Sequence, residues 1–137
     1  MSNPRIRPLF TAVAVAAGTI VLGMMPVGDS YGAPQTTTVS FAEDILPLLK
    51  WRCGSCHSPG GQGFAASGLD LTSYEGVMRG TRFGPMVIPR DPEGSNLMLI
   101  VDWRASEKLR MPHNKKKLSI CDRDAIRAWI RQGAKND

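Results

Sequence analysis

The stretch that decides the fold reads Arg52-Cys53-Gly54-Ser55-Cys56-His57-Ser58-Pro59-Gly60. Two of only three cysteines stand three positions apart, and a histidine follows the second directly. Thiols at this spacing, placed at a helix end, can each form a thioether with one vinyl group of a haem. The imidazole that follows then falls under the iron, and C-x-x-C-H is the attachment pattern of c-type haem. Gly54 and Ser55 are small enough to let the backbone bend tightly over the porphyrin edge.

The same residue types serve other chemistries. A disulfide between Cys53 and Cys56 would be strained and leaves His57 without a role. A thioredoxin-like redox pair wants a βαβ setting, and no such pattern surrounds the motif. A zinc site drawing on Cys53, Cys56, Cys121 and His113 or His57 has enough ligands and is the strongest rival. The expectation is covalent haem c, one per chain, with Cys53 and Cys56 as tethers and His57 as the proximal iron ligand.

The opposite axial face then needs a thioether or an imidazole, and Met/His ligation raises the potential as an electron carrier requires. The candidates are Met78, Met86, Met98, Met111 and His113. Met78 and Met98 fall within helical patterns and read as core packing. Met111 sits in a loop ahead of Pro112, which restricts the backbone and can aim the sulfur, so Met111 is the expected distal ligand. His113 reads as an exposed loop residue or a hydrogen-bond partner of the site. Cys121, on the last helix, reads as a small buried apolar group.

Outward from the motif, periodicity and caps predict an all-α domain of three to five short helices. Ser40-Phe41-Ala42-Glu43 is a capping box. Ile45, Leu48, Leu49 and Trp51 supply apolar positions for a first helix ending near Arg52, with Pro47 expected to kink it or restrict its first turns. Ser58 to Gly68 is rich in Gly and Ser and reads as a surface loop. Leu69-Asp70-Leu71 reads as extended, and Ser73 to Met78 as a brief helix ended by Gly80. Phe83 to Pro92 is a proline-stiffened connector. A helical stretch then starts at Ser95, with Leu97, Met98, Ile100, Val101 and Trp103 as its apolar face. The last helix has Ser119 and Asp122 as its capping box, Ala125, Ile126, Trp129 and Ile130 as its stripe, and Gly133 as its stop.

With 137 residues, the chain has room for one small domain plus a targeting segment. Arg5 and Arg7 precede a nearly charge-free apolar run from Leu9 to Val27, and small residues follow at Ser30, Gly32 and Ala33. Residues 1–32 therefore read as a signal peptide or, since the run is close to the ~20 residues that span a bilayer, as an N-terminal membrane anchor. Residues 33–39 read as a linker and 40–137 as the haem domain. Either leader delivers the domain to the periplasm or another exported location, tethered to the outer face of the inner membrane if the anchor is retained.

The formal net charge of +5 falls to about +4 when Arg5, Arg7 and Asp29 leave with the leader. That is too mild, and too poor in interleaved aromatics, for a nucleic-acid protein. The basic run Lys115-Lys116-Lys117 would lie on the Met111 side of the haem, where it could steer an acidic redox partner.

Four stretches of this sequence, "FAEDILPLLKWRCGSCHSPG", "SGLDLTSYEGVMRG", "VIPRDPEGSNLMLI" and "RMPHNKKKLSICDRDAIRAWIRQGA", resemble the planctomycete-type cytochrome c domain, within the small c-type cytochromes. The likeness covers nearly all of Phe41 to Ala134. It implies covalent haem at the pentad, the methionine of a Met-Pro motif as distal ligand, and a last helix packed across the first. It also implies that "VIPRDPEGSNL" is a haem-covering loop, with Pro89, Asp91 and Pro92 setting its turns. His113 stands where a second proline is frequent in that family.

The reading that follows is an exported mono-haem carrier of single electrons, without bond-making turnover of its own. A haem sensor or peroxide-reactive module with an open distal face, and a structural zinc domain, are the alternatives from other classes.

Overall fold

The computed structural model describes residues 37–137. The expected leader over residues 1–32 and the first part of the expected linker lie outside them. Five α-helices and two single-turn helices make up the regular structure, and the described residues contain no strand beyond an isolated bridge between Thr81 and Gly84. The all-α expectation holds at that level.

The chain enters helix through a wide π-helical turn, Phe41–Ile45, which leads into α1, Leu46–Cys53. The Ser40 hydroxyl accepts from Glu43 N–H at 3.2 Å, as a capping serine should. The return bond differs from expectation: Ser40 N–H donates to the Asp44 carboxylate at 2.9 Å rather than to Glu43. The turn is wound so that Ile45 N–H reaches the Ser40 carbonyl five residues back, which brings residue 44 rather than 43 beneath the cap. Pro47 falls in the first turn of α1, where a missing N–H is tolerated. Ile45 and Leu49 are buried, but Trp51 is 77% exposed. It sits two residues beyond Leu49, which on a helix turns it to the far side from the Ile45/Leu49 row.

The stretch read as a surface loop contains a second helix, α2, Gln62–Ser67, begun at Gly61 and closed by Gly68. None of its residues is buried, so it has no apolar stripe by which periodicity could reveal it. Leu69 to Leu71 is extended and buried. Helix α3, Tyr74–Arg79, is capped by Ser73 and stopped by Gly80 as expected. Helix α4 spans Asn96–Val101 and buries Leu97, Met98 and Val101, while Trp103 lies beyond its end. Ser95 does not cap α4 with its side chain. Its buried hydroxyl instead accepts from Ile88 N–H at 2.8 Å and donates to the Asp91 carbonyl at 2.7 Å, closing the connector on itself.

After a 3-10 turn at Glu107–Leu109, the long helix α5, Ile120–Arg131, carries the full capping box between Ser119 and Asp122. Its buried stripe is Ile126, Trp129 and Ile130. Cys121 is exposed, correcting the expectation of a buried thiol, because it falls on the side of α5 opposite that stripe. Helix α5 packs across the entry turn. Phe41 meets Trp129 at 5.3 Å between ring centroids and Tyr74 edge-on at 5.1 Å, aromatic separations that favour close packing.

The two ends of the domain are clasped beside that contact. Val39 N–H donates to the Gln132 side chain at 2.9 Å, which in turn donates to the Thr37 carbonyl at 3.1 Å. Asp137 accepts from Phe41 N–H and Ala42 N–H at 3.0 and 2.9 Å.

Helices α4 and α5 are also joined by charge. Asp102, whose side chain is 8% exposed, accepts from Arg123 at 2.8 Å and Arg127 at 2.6 Å, with Arg104 at 3.8 Å. Burial pushes the Asp102 carboxyl upward, but the hydrogen bonds from Arg123 and Arg127 outweigh it and hold the group below its ordinary value. A carboxylate depressed in the folded state adds stability above its unfolded value and loses it as pH falls through the folded one. Asp102→Asn is therefore expected to lower stability by about 1–3 kcal/mol at pH 7. In denaturant titrations the gap to wild type should close on acidification below about pH 4; a gap that persists at pH 2–3 would sink the assignment.

Candidate haem site

Hydrogen bonding carries the helical backbone past the end of α1 and through the cysteine motif. Gly54 N–H reaches the Lys50 carbonyl at 3.1 Å, and Cys56 and His57 N–H both reach the Cys53 carbonyl, at 3.1 and 2.9 Å. One tight turn thus presents Cys53, Cys56 and His57 to the same cavity. The His57 carbonyl accepts from Leu71 N–H at 2.8 Å, which fastens the buried Leu69–Leu71 segment beside the imidazole.

The cavity has a volume of about 510 Å³ and an apolar wall that includes Leu69, Leu71, Leu97, Ile100 and Val101. Met111 faces it from the loop between α4 and α5, so the structure brings together all four residues singled out from the sequence. His113 is exposed and stands at its edge with Lys115. Met86 and Met98 are core residues, 9% and 0% exposed, and neither lines the cavity. Met78 packs against the core and is likewise absent from the wall.

Of the connector expected to cover the haem, residues 87–97, only Leu97 lines the cavity. The connector is held elsewhere, by Arg90 N–H on the Ile130 carbonyl at the end of α5, at 2.7 Å. The zinc rival loses Cys121, which lies exposed on α5 outside the cavity, and among the described residues no three side chains of the His/Cys/Asp/Glu kind are grouped so as to hold a metal ion.

The two thiols differ electrostatically. Burial pushes Cys53 up to about 11, against the opposing pull of Arg52 and Lys115. Cys56 is lowered, first by the Gln62 side-chain amide at 3.6 Å and then by the Ser55 hydroxyl. His57 is also lowered, because burial disfavours the imidazolium more than the Leu69 backbone favours it. A neutral imidazole is the form that binds a metal.

Two observations test whether these residues suit an iron porphyrin. Among the described residues only Arg52 Nε and His57 Nδ1 are buried side-chain polar atoms without a partner, and both residues border this cavity. The donor set, two thiols, a neutral imidazole and a thioether lining one largely apolar cavity, has the chemistry that covalent haem requires. The residues fit the group.

A short all-α chain with this donor set on one cavity has the make-up of a small c-type cytochrome. The family described as Planctomycete cytochrome C matches residues 53–114, which supports a planctomycete-type cytochrome c domain over that stretch. That family implies covalently bound haem c and suggests a haem-binding electron-transfer role. No curated protein and no solved structure matches the chain.

Sequence reading missed two contributors. Gly63, on the unforeseen α2, lies so close to His57 that a Cβ there would stand 2.8 Å from Cε1 and 2.9 Å from Nε2 of the ring. Its only sequence signal is a third glycine soon after the motif. Arg52 is the other; its guanidinium also lies over the Trp51 ring, 4.9 Å from the centroid. Gly63→Ala is expected to displace the imidazole and cost about 1–3 kcal/mol in thermal unfolding of the haem-loaded protein. An unchanged melting curve would show that the ring does not depend on that contact.

Proposed function

We propose that this protein is an exported mono-haem c-type cytochrome that transfers single electrons between redox partners. The observation that carries the reading is the convergence of Cys53, Cys56, His57 and Met111 on one apolar cavity. The bound haem c supplies a reversible Fe(II)/Fe(III) couple. Cys53 and Cys56 would hold it by thioethers, and His57 and Met111 would supply the nitrogen and sulfur ligands to its iron. The aliphatic wall lowers the local dielectric and excludes water, which together with His57 and Met111 as ligands would set the potential. No residue in this scheme makes or breaks a substrate bond, in keeping with a domain that is typically an electron carrier.

Lys115 borders the tethering cysteines closely enough for its charge to favour both thiolates. Lys116 is exposed, and Lys117 turns its ammonium toward Trp103 at 6.0 Å from the ring centroid. Lys115 and Lys116 therefore form the outward part of the basic run, suited to an acidic redox partner. Residues 1–32 supply export to the periplasm, as a cleaved signal or as a tether to the outer face of the inner membrane.

Three measurements test the reading. Mass spectrometry of protein made with a working attachment system should show one haem per chain, and Cys53→Ser with Cys56→Ser should abolish the covalent adduct; an intact adduct excludes these tethers. The ferric protein should show the weak red absorption of sulfur-ligated haem and lose it in Met111→Ala. A high-spin wild type would instead indicate an open distal face and favour ligand sensing or peroxide chemistry. Charge-neutralising replacement of Lys115 and Lys116 should slow electron transfer to an acidic partner severalfold at low salt and have little effect at high salt.

A further inference from the structure

Four helix ends among the described residues are followed by a residue with positive φ, and three use glycine: Gly68 after α2 at 77°, Gly80 after α3 at 78° and Gly133 after α5 at 109°. Glycine is the usual choice there because a Cβ is sterically disfavoured in that conformation. Helix α4 ends otherwise. Its residue in that position is Trp103, with φ at 58°.

The hydrogen bonds of this end are those of the α5 end. Trp103 N–H donates to the Ile100 carbonyl at 3.3 Å and Arg104 N–H to the Leu99 carbonyl at 3.0 Å. At the end of α5, Gly133 N–H donates to Ile130 and Ala134 N–H to Trp129, at 3.0 and 2.9 Å. The motif is shared, so the tryptophan answers to something outside the helix end.

That something is the loop carrying Met111. Trp103 Nε1–H donates to the Met111 carbonyl at 2.8 Å, and Met111 N–H donates to the Ile100 carbonyl at 3.2 Å. Both backbone polar groups of Met111 are thereby held by the end of α4. Ile100 accepts from Trp103 and Met111 together, and Ile100 itself lines the cavity. The ring is steadied in turn by the Arg110 guanidinium and the Lys117 ammonium, 5.7 and 6.0 Å from its centroid, within the range of cation–π attraction.

We propose that Trp103 is the positioning residue for Met111: its indole N–H fixes the Met111 backbone so that the thioether is presented to the cavity, and the disfavoured backbone conformation at 103 persists because it aims the indole there. The inference rests on the reading of Met111 as distal ligand. Strain held in place by surrounding structure concentrates at functional sites, and a ligand held before the bond forms loses less freedom in forming it. Trp103 does not touch the metal, so its effect acts through Met111 alone.

The test uses the haem-loaded protein and two variants at this position. Trp103→Phe retains an aromatic ring but removes the N–H along with part of the indole's bulk; Trp103→Gly removes the ring and relaxes the backbone, and serves if phenylalanine proves too strained to fold. Added imidazole competes with the methionine sulfur, and the loss of the red sulfur–iron band reports the competition. Loss of the one hydrogen bond is expected to raise the apparent affinity for imidazole about tenfold, to lower the pH at which the band disappears, and to lower the reduction potential.

These readouts follow the distal bond, and a change in overall stability alone would not move the potential in this way. If the band, its imidazole titration and the potential all match wild type in both variants, while Met111→Ala loses the band, the clamp is refuted and the distal assignment stands. If the band survives in Met111→Ala, both ideas fall together.

Discussion

Phe41 is the residue on which three parts of the chain close. Its ring is met by Trp129 from α5 and edge-on by Tyr74 from α3, and it is almost wholly buried. The Tyr74 hydroxyl then donates to the Ala134 carbonyl and Trp129 Nε1–H to the Lys135 carbonyl, at 2.8 and 2.9 Å. Both aromatic polar groups are thus satisfied within the same cluster, and their burial carries little desolvation cost. With α5 fixed across the entry turn, α1 has a fixed direction, and the cysteine turn that continues it points into the cavity. The candidate haem site is the far end of a lever whose fulcrum is this aromatic contact.

Cohesion and chemistry are supplied by different kinds of interaction in different places. Charges gather where α4 meets α5, around Asp102, with Glu93 drawn in through Arg104 and Arg127. The cavity wall is largely aliphatic, with Arg52 and Lys115 as the basic side chains among its lining and no carboxylate. An ion-pair hub tolerates water and salt poorly at the margin but is stabilising when partly buried with several hydrogen bonds. A pocket for an iron couple needs the reverse, few mobile dipoles and little water. Keeping the Asp102 cluster on the α5 side leaves the pocket free of titrating carboxylates.

Much of this was legible in the residues themselves. The meeting of the cysteine motif and Met111 on one cavity, the all-α class and the α5 stripe follow from patterns in which one residue type has one strong physical use. What escaped reading depended on contacts between distant segments. Helix α2 has no buried face, so its existence is fixed by Gly61, Gly68 and a bond from Phe64 N–H to the Cys56 carbonyl rather than by periodicity. Trp51 reads as part of an apolar face and Cys121 as buried because unpaired cysteines usually are, yet each points away by the angle its helix imposes. The proline-rich connector looked like a haem cover, but Arg90 and Ser95 hold it against other partners. Trp103 could be read as an apolar helix position, and nothing local discloses that it lies past the helix end with its N–H on Met111.

The clasp between residues 37–42 and residues 132–137 has a topological consequence. Because Thr37, Val39 and Phe41 are bonded to Gln132 and Asp137, the strand of chain that enters the domain and the one that leaves it are neighbours. A unit whose entry and exit coincide can be set into a longer polypeptide like a bead tied on at one knot, with little separation imposed on the flanking chain. Tension drawn across the two ends would load the knot first. The residues around the cavity would stay slack until it gave way.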